Sequence, residues 1–294
     1  MMHLVLGLIA CVITVKSFAW SDPIHIVIAK IARSNLNPGV LGRIEDLANN
    51  IEGAFPLTFD FVNASCWAND ISRGGCGVFD SWHEQPMPYD PENILADSKQ
   101  KAIRSKIDQN SNVFALVSAM TTLRNPQAGQ WEKNFCLRIL MHCLADLHNP
   151  MACISLYSSD FPDGDQGGRL FRIESVYGSL RELWDHALLF SFPQEEIREW
   201  THDLTYEQQE ELDEVVEKIL SIYPRFAFSD LREGSFADWA KSSYGLAVHH
   251  AYQGILPGDY PTNEYLQKSR QIALEQIAKA GYRLADKLNE IFQQ

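Results

Sequence analysis

The chain is short of positive charge. Lysine and arginine together number 25 against 38 aspartates and glutamates, a formal net charge of −13 over 294 residues. Proteins that grip duplex DNA through their general surface carry a basic face, and this composition argues against that class. If the target is a phosphodiester, the positive charge must be local, and bound metal can supply it. Also missing is an apolar run long enough to cross a bilayer: the best, Leu4 to Val15, falls short of the roughly 20 residues a spanning helix needs. Internal repeats, low-complexity tracts and linker-like stretches are absent too, which argues against repeat architectures and strings of small domains. What remains is a chain that is 46% hydrophobic and suits one large domain around one sizeable core.

Cysteine is scarce, at six residues, and the N-terminal segment explains one of them. Leu4 to Val15 followed by Ser17-Phe18-Ala19 places small residues where a signal peptidase reads. Residues 1–19 are therefore expected to be a signal peptide, and 20–294 the exported domain, with Trp20 as its first residue. Export permits disulfides. Without Cys11 the chain keeps Cys66, Cys76, Cys136, Cys143 and Cys153, an odd number, so at least one thiol has no partner within the chain. Cys136 and Cys143 fall on one predicted helix, about 10 Å apart along its axis, and cannot bond to each other. The sequon Asn63-Ala64-Ser65 is a glycosylation candidate, with a buried, unmodified asparagine as the alternative.

The hydrophobic spacing predicts an almost all-helical fold. Ser21 and Asp22 can cap a helix that Pro23 opens, with Ile24, Val27, Ile28 and Ile31 on one face. One or two helices are expected over 38–70, the last reaching Trp67, and a loop carrying His83 over 74–91. Further helices are expected over 94–123, 130–148, 178–191, 205–222 and 235–253. The closing helix is the clearest, since Ile277, Gly281, Leu284, Leu288 and Ile291 recur at helical spacing. At most a short β-hairpin fits, and Leu170 to Val176 is the best place for β-structure.

The chemistry is concentrated on 130–148. His142 and Asp146 are four apart, so both side chains leave one face of one helix, the spacing by which two ligands reach one ion. They are embedded among Leu140, Met141, Cys143 and Leu144. A polar pair in an apolar setting needs partners, and metal is a good one. After processing, the amine and carbonyl of Trp20 can chelate a metal, with His25 one turn into the adjoining helix. An unprocessed chain has an amide there, which is a poor ligand.

At this point the residues resemble the class I, single-strand-specific nucleases, which include fungal nucleases P-one and S-one and the protozoan 3′-nucleotidase/nucleases. The resemblance runs through Trp20 and His25, then Ala64-Ser65-Cys66-Trp67-Ala68-Asn69-Asp70, Ser81-Trp82-His83 and Leu137 to Asp146. It continues in Pro162 to Gly168, Leu183-Trp184-Asp185 and Gln276 to Ala285, in family order over nearly all of 20–294. It implies a single all-α domain of the zinc-dependent phospholipase C and single-strand nuclease type. It also implies three zinc ions in a cleft, two of them a close pair bridged by one aspartate. Carried over by position, one zinc of the pair would use Trp20, His25 and Asp146, and the other His83, His142, Asp146 and the acid after Trp67.

Two departures stand out. The family's acid sits two residues after the tryptophan, where this chain has Asn69, with Asp70 next. A shift of one would let Asp70 coordinate and would put Arg73 at a basic position of the family, so Asn69 and Asp70 both stay open. The lone zinc's two histidine positions are Ala152 and Arg181, and only Asp185 survives. A guanidinium at 181 can hold phosphate through two parallel hydrogen bonds and so stand in for part of the missing charge. The alternative is a surface Arg181–Asp185 pair with no chemical part. His148 falls at a non-ligand position, His186, His202, His249 and His250 match no ligand position, and Glu84-Gln85-Pro86 lacks the aromatic that some relatives place after the histidine.

These readings imply a secreted, monomeric phosphoesterase, not inserted in a membrane. It would hold two zinc ions, with Asp146, Arg73 and Arg181 as its catalytic candidates. Its substrates would be single-stranded DNA, RNA or 3′-nucleotides. The alternatives are a secreted binding protein that keeps the fold without the activity, and a phospholipase C.

Overall fold

Residues 130–147 decide the architecture. As a helix they bury Leu137 to Leu147 without a break, so this segment must run through the middle of the molecule. In the computed structural model, which describes residues 19–49, 58, 60–192 and 204–293, it does. Eleven α-helices are present among the described residues: α1 Asp22–Ser34, α2 Pro38–Asn49, α3 Trp67–Arg73, α4 Asp97–Gln109, α5 Asn112–Arg124, α6 Gln130–Leu147, α7 Leu180–Asp185, α8 Ala187–Ser191, α9 Tyr206–Ile222, α10 Phe236–Leu246 and α11 Asn263–Phe292. The all-α expectation is met. Residues 1–18 of the expected signal-peptide segment and His202 lie outside the described residues.

The central helix α6 packs most extensively on α5, and α1 packs on α11. The second contact is unusually close. A Cβ on Gly281 would lie 2.5 Å from Ile31 Cγ2 and 3.1 Å from the Ile28 carbonyl, so only glycine lets these helices approach at this point. One large core takes in α1, α2, α5, α6, α9, α10 and most of α11, while a smaller one gathers Met151, Ile154, Leu156, Leu180, Trp184 and Tyr252.

The β-structure differs from the expected hairpin in place and kind. Strand β1, Met87–Tyr89, pairs in parallel with β2, Ile154–Leu156, in the register Met87↔Ile154 to Tyr89↔Leu156. A parallel pair needs a long crossover, here α4, α5 and α6, so no local turn marks it. The 170–176 segment contributes only the isolated bridge Arg172↔Ser179. Helix α3 begins at Trp67 rather than ending there, and the segment before His83 winds into a 3-10 turn, Gly77–His83.

This sheet fixes the site. The backbone after His83 is pinned by Gln85 N donating to Ala152 O (2.8 Å) and Asn112 N donating to Glu84 O (2.9 Å). Asn112 also donates through Nδ2 to Cys143 O at 2.8 Å, tying the segment to α6.

Among the described residues no disulfide forms. Cys66, Cys76, Cys136, Cys143 and Cys153 are all free, so none of the disulfides that export would permit is seen. Cys66, Cys143 and Cys153 are buried in the helical core, and burial pushes their thiols up, away from the reactive thiolate.

Candidate metal centre

The centre is built on one buried carboxylate. Asp146 comes off α6 with both oxygens facing histidines: Oδ1 lies 3.2 Å from His25 Nε2, and Oδ2 lies 3.0 Å from His83 Nδ1 and 3.1 Å from His142 Nε2. Three separate segments deliver these rings, namely α1, the 3-10 turn Gly77–His83, and α6 itself. The His25 and His142 rings stack at 3.9 Å, and His83 meets His142 edge-on at 4.7 Å. All four side chains are buried.

The donor chemistry fits metal. His142 Nδ1 donates to Ser65 O at 2.6 Å, which orients the ring and aims Nε2 at Asp146 and at His83 Nδ1, 2.9 Å away. Both ring nitrogens of His25 are buried, and neither is aligned in a hydrogen bond. An orphaned buried polar atom costs about 1–3 kcal/mol, so rings held this way want a ligand. His25, His142 and Asp146 bring their ligand atoms within 4.8 Å of one another.

The electrostatics follow from the burial. Burial and the neighbouring His142 pull the His25 pKa down to about 4. Burial likewise lowers His83. Burial would lower His142 as well, but the Asp146 charge and hydrogen bond outweigh it and the net shift is upward. For Asp146, burial would raise the carboxyl; His142 and His25 outweigh it and hold the group well below the usual carboxylate range. The carboxylate is thus anionic inside the protein, where cations are its natural partners.

The other candidates sort themselves by burial. Trp20 is buried, its Nε1 donating to Ala145 O at 3.0 Å, one residue before Asp146. Asn69 is buried beside it. Its Nδ2 donates to Asp22 Oδ1 (2.9 Å) and Trp20 O (3.4 Å), which leaves Oδ1 buried without a hydrogen bond. Asp70 is more open, its side chain 29% exposed and Oδ1 2.6 Å from Arg73 Nη2, although its Oδ2 is buried as well. Arg73, 40% exposed, also reaches Asp22 Oδ2 at 2.6 Å and so bridges two acids at the rim. Asn63 is half-buried and donates to Asp60 Oδ2 at 2.5 Å.

The lone-zinc position is filled by protein. Arg181 is fully buried, not at the surface: Nε donates to Asp185 Oδ2 (2.8 Å), Nη1 donates to Met151 O (2.8 Å), and Nη2 lies 3.3 Å from Glu84 Oε1. Asn149 Nδ2 donates to the other Asp185 oxygen at 2.8 Å. Burial would lower the Arg181 pKa, but Asp185 and then Glu84 outweigh it and drive it further up, so the guanidinium is always charged. With both Asp185 oxygens engaged and a fixed cation alongside, these residues do not fit a third metal ion. His148 does not repair the position. Its Nδ1 donates to Leu144 O (2.8 Å) and its Nε2 accepts from Arg283 Nη1 (3.0 Å). His186 is spent on Glu182 O at 2.9 Å.

Sequence reasoning missed Ser65 O, Asn149 and the Glu84 side chain. A backbone acceptor leaves no mark in the sequence. Glu84 carries no sequence signal beyond standing where some relatives have an aromatic.

Fold and centre together define a class: an all-helical protein with a buried carboxylate, ringed by histidines, that could hold metal. The family model for S1/P1 nuclease matches residues 20–293, and the chain belongs to that family. No curated protein matches the chain. The family is one of zinc-dependent nucleases, and membership points to nuclease activity with nucleic acid as the class of substrate.

Proposed function

We propose that the chain is an exported phosphodiesterase that hydrolyses single-stranded nucleic acid or 3′-nucleotides with two zinc ions. The observation that carries this reading is Asp146, buried, with His25 against one oxygen and His83 and His142 against the other. Trp20, His25 and Asp146 would hold one ion. His83, His142, Asp146 and the unpartnered Oδ1 of Asn69 would hold its neighbour. Bound there, the two ions supply the acidity that lets water act as a nucleophile near neutral pH, and positive charge against the phosphate.

The chain's own residues do the rest. Asp146 stays ionised and links the two halves. Ser65 O fixes the His142 tautomer, leaving Nε2 as the donor atom. Arg73 sits at the rim, held between Asp22 and Asp70, with its side chain 40% exposed. Arg181 braces Asp185 in place of a metal. Asn63 is structural rather than glycosylated. Export is supported by the apolar Leu4–Val15 run and by the family match beginning at Trp20.

A second reading has one observation in its favour. Replacement of the third-site ligands by Ala152 and Arg181 removes leaving-group assistance, as expected of a secreted binding protein that keeps only the fold. Incubating the mature, metal-loaded protein with labelled single-stranded DNA, RNA and 3′-AMP separates the two. The phosphodiesterase reading expects cleavage of at least one that is lost in Asp146→Ala. A fully loaded protein that cleaves none of them would make the binding-protein reading the right one.

A further inference from the structure

The residues that replace the third metal form a chain of alternating charge, Asp185–Arg181–Glu84–Arg169. Its inner end is sealed: Arg181 and Asp185 are fully buried, and each is satisfied by the other and by its surroundings. Its outer end is partly exposed, although Glu84 Oε1 itself is buried and Arg169 Nη1 also donates to Gln166 O at 3.1 Å. Glu84 Oε1 lies 2.5 Å from Arg169 Nη2, with the Arg169 side chain 28% exposed and that of Glu84 21%. Glu84 directly follows His83, and its charge is felt at the His83 ring. Arg169 is therefore a solvent-reaching cation fastened to the residue beside the metal centre.

The loop that carries it is built for placement. Asp165 is buried, accepting from Leu156 N (2.9 Å) and from the Tyr252 hydroxyl (2.5 Å). Gly167 and Gly168 both take left-handed φ, at +65° and +86°. A Cβ on Gly167 would lie 2.9 Å from Arg181 Nη1, and one on Gly168 would run into the Met151 side chain. The loop thus lies directly on the filled metal position and presents the next residue, Arg169, at its edge.

We propose that Arg169 binds the substrate's phosphate on the side of the centre where the lone metal of the family would lie, and that Glu84 holds it there until phosphate displaces the carboxylate. Arg181 cannot do this, because it is buried and its charge is matched by Asp185. Arg169 can, by exchanging one ion pair for another. A guanidinium meets phosphate in a two-pronged hydrogen bond, a stronger contact than a one-point pair. The ligand class is a phosphate or phosphodiester anion. The inference takes its substrate from the phosphoesterase reading above, and its test does not depend on turnover.

The test is calorimetric titration of the mature, metal-loaded protein with inorganic phosphate and, separately, with a short thymidylate oligonucleotide under conditions that block cleavage. Arg169→Ala should weaken phosphate binding at least tenfold, and Arg169→Lys should recover part of the loss. Glu84→Gln removes the competing carboxylate and should tighten phosphate binding several-fold, with zinc counted in each sample to confirm that the centre is intact. A purely structural salt bridge would move both variants in the same direction, with a matching fall in melting temperature. Unchanged phosphate affinity in Arg169→Ala, or weaker affinity in Glu84→Gln at full metal content, overturns the proposal. If phosphate binds but the oligonucleotide does not, Arg169 serves a free phosphate or mononucleotide site, and the polynucleotide part of the proposal is wrong. A parent that binds phosphate through Arg169 yet cleaves no nucleic acid sinks the phosphodiesterase reading and leaves this one standing.

Discussion

At Asn69 and Asp70, one step around α3 separates the inside of the centre from solvent. Successive helical residues differ by about 100° in direction, so a single-residue offset decides which side chain faces Asp146's neighbourhood. The sequence leaves both open because the phase depends on where α3 starts, and the structure starts it at Trp67. Asn69 is buried with a carbonyl oxygen that accepts no hydrogen bond, while Asp70 is partly exposed and gives one oxygen to Arg73, its other oxygen lying buried. Asn69→Ala should therefore reduce zinc content, and Asp70→Ala should leave it near the parent's; elemental analysis of the two proteins checks this. Arg181 makes a second prediction at this scale. Removing it leaves Asp185 buried and half-paired, and breaking a buried pair from one side costs about 3–5 kcal/mol. Arg181→Ala should lose about that much in denaturant unfolding. A loss under 1 kcal/mol, the range of exposed pairs, would show that the network is not holding the fold. Arg181 was legible as a replaced ligand. Its burial was not, because Glu84 is 97 positions away and nothing in the sequence pairs them.

The helices were readable because each buries a face large enough to impose a period. Their boundaries and the small sheet were not. A three-residue strand has no room to show alternation, and β1 contains Pro88 besides, which suits an edge strand but hides it from pattern reading. Gly281 shows how a helix can carry a packing instruction. It was legible as part of the apolar face of α11, but that it meets α1 at Ile31 is visible only in three dimensions. Gly281→Ala should destabilise the protein by about 1–3 kcal/mol through overpacking, despite alanine's better helix propensity. A stabilised variant would mean that α1 and α11 can part at little cost. Helix α6 and its C-terminal cap His148 carry a pH prediction for the metal-free protein. His25 and His148 have folded pKa values of about 4 and about 3, below the ordinary 6.5, so their neutral rings favour the folded state. That stability is complete above pH 6.5 and is lost as pH falls through 6.5 toward 4 and then 3. His83, lowered by burial too, adds to the same loss; His142 is shifted upward, so it is protonated in both states below pH 6.5 and adds no slope there, and Asp146 adds to the loss only below its ordinary 3.8. Melting temperature after metal removal should fall steadily from pH 6.5 to 4.5. A flat curve would show that the His25 and His148 rings already carry protons in the fold.

Over the whole molecule, a surplus of acid is reconciled with a phosphate substrate by confining positive charge to one place. The chain carries −13 overall, and the proposed function concentrates cations at a buried carboxylate and at two rim arginines, Arg73 and Arg169. Without disulfides among the described residues, the fold rests on its helical core and on this centre, so metal and fold should be coupled. His25, His142 and Asp146 could be singled out before any coordinates, because an i,i+4 pair in an apolar run and a histidine near a new N-terminus are local patterns. Glu84, Arg169 and Asn149 could not, since they matter only through what the fold brings beside them. The most direct test of the account is to count zinc in the mature protein after gel filtration into metal-free buffer. The account predicts about two ions per chain, and the loss of both in Asp146→Ala, because one carboxylate serves both positions. A third tightly held zinc, or a full complement in Asp146→Ala, would contradict it.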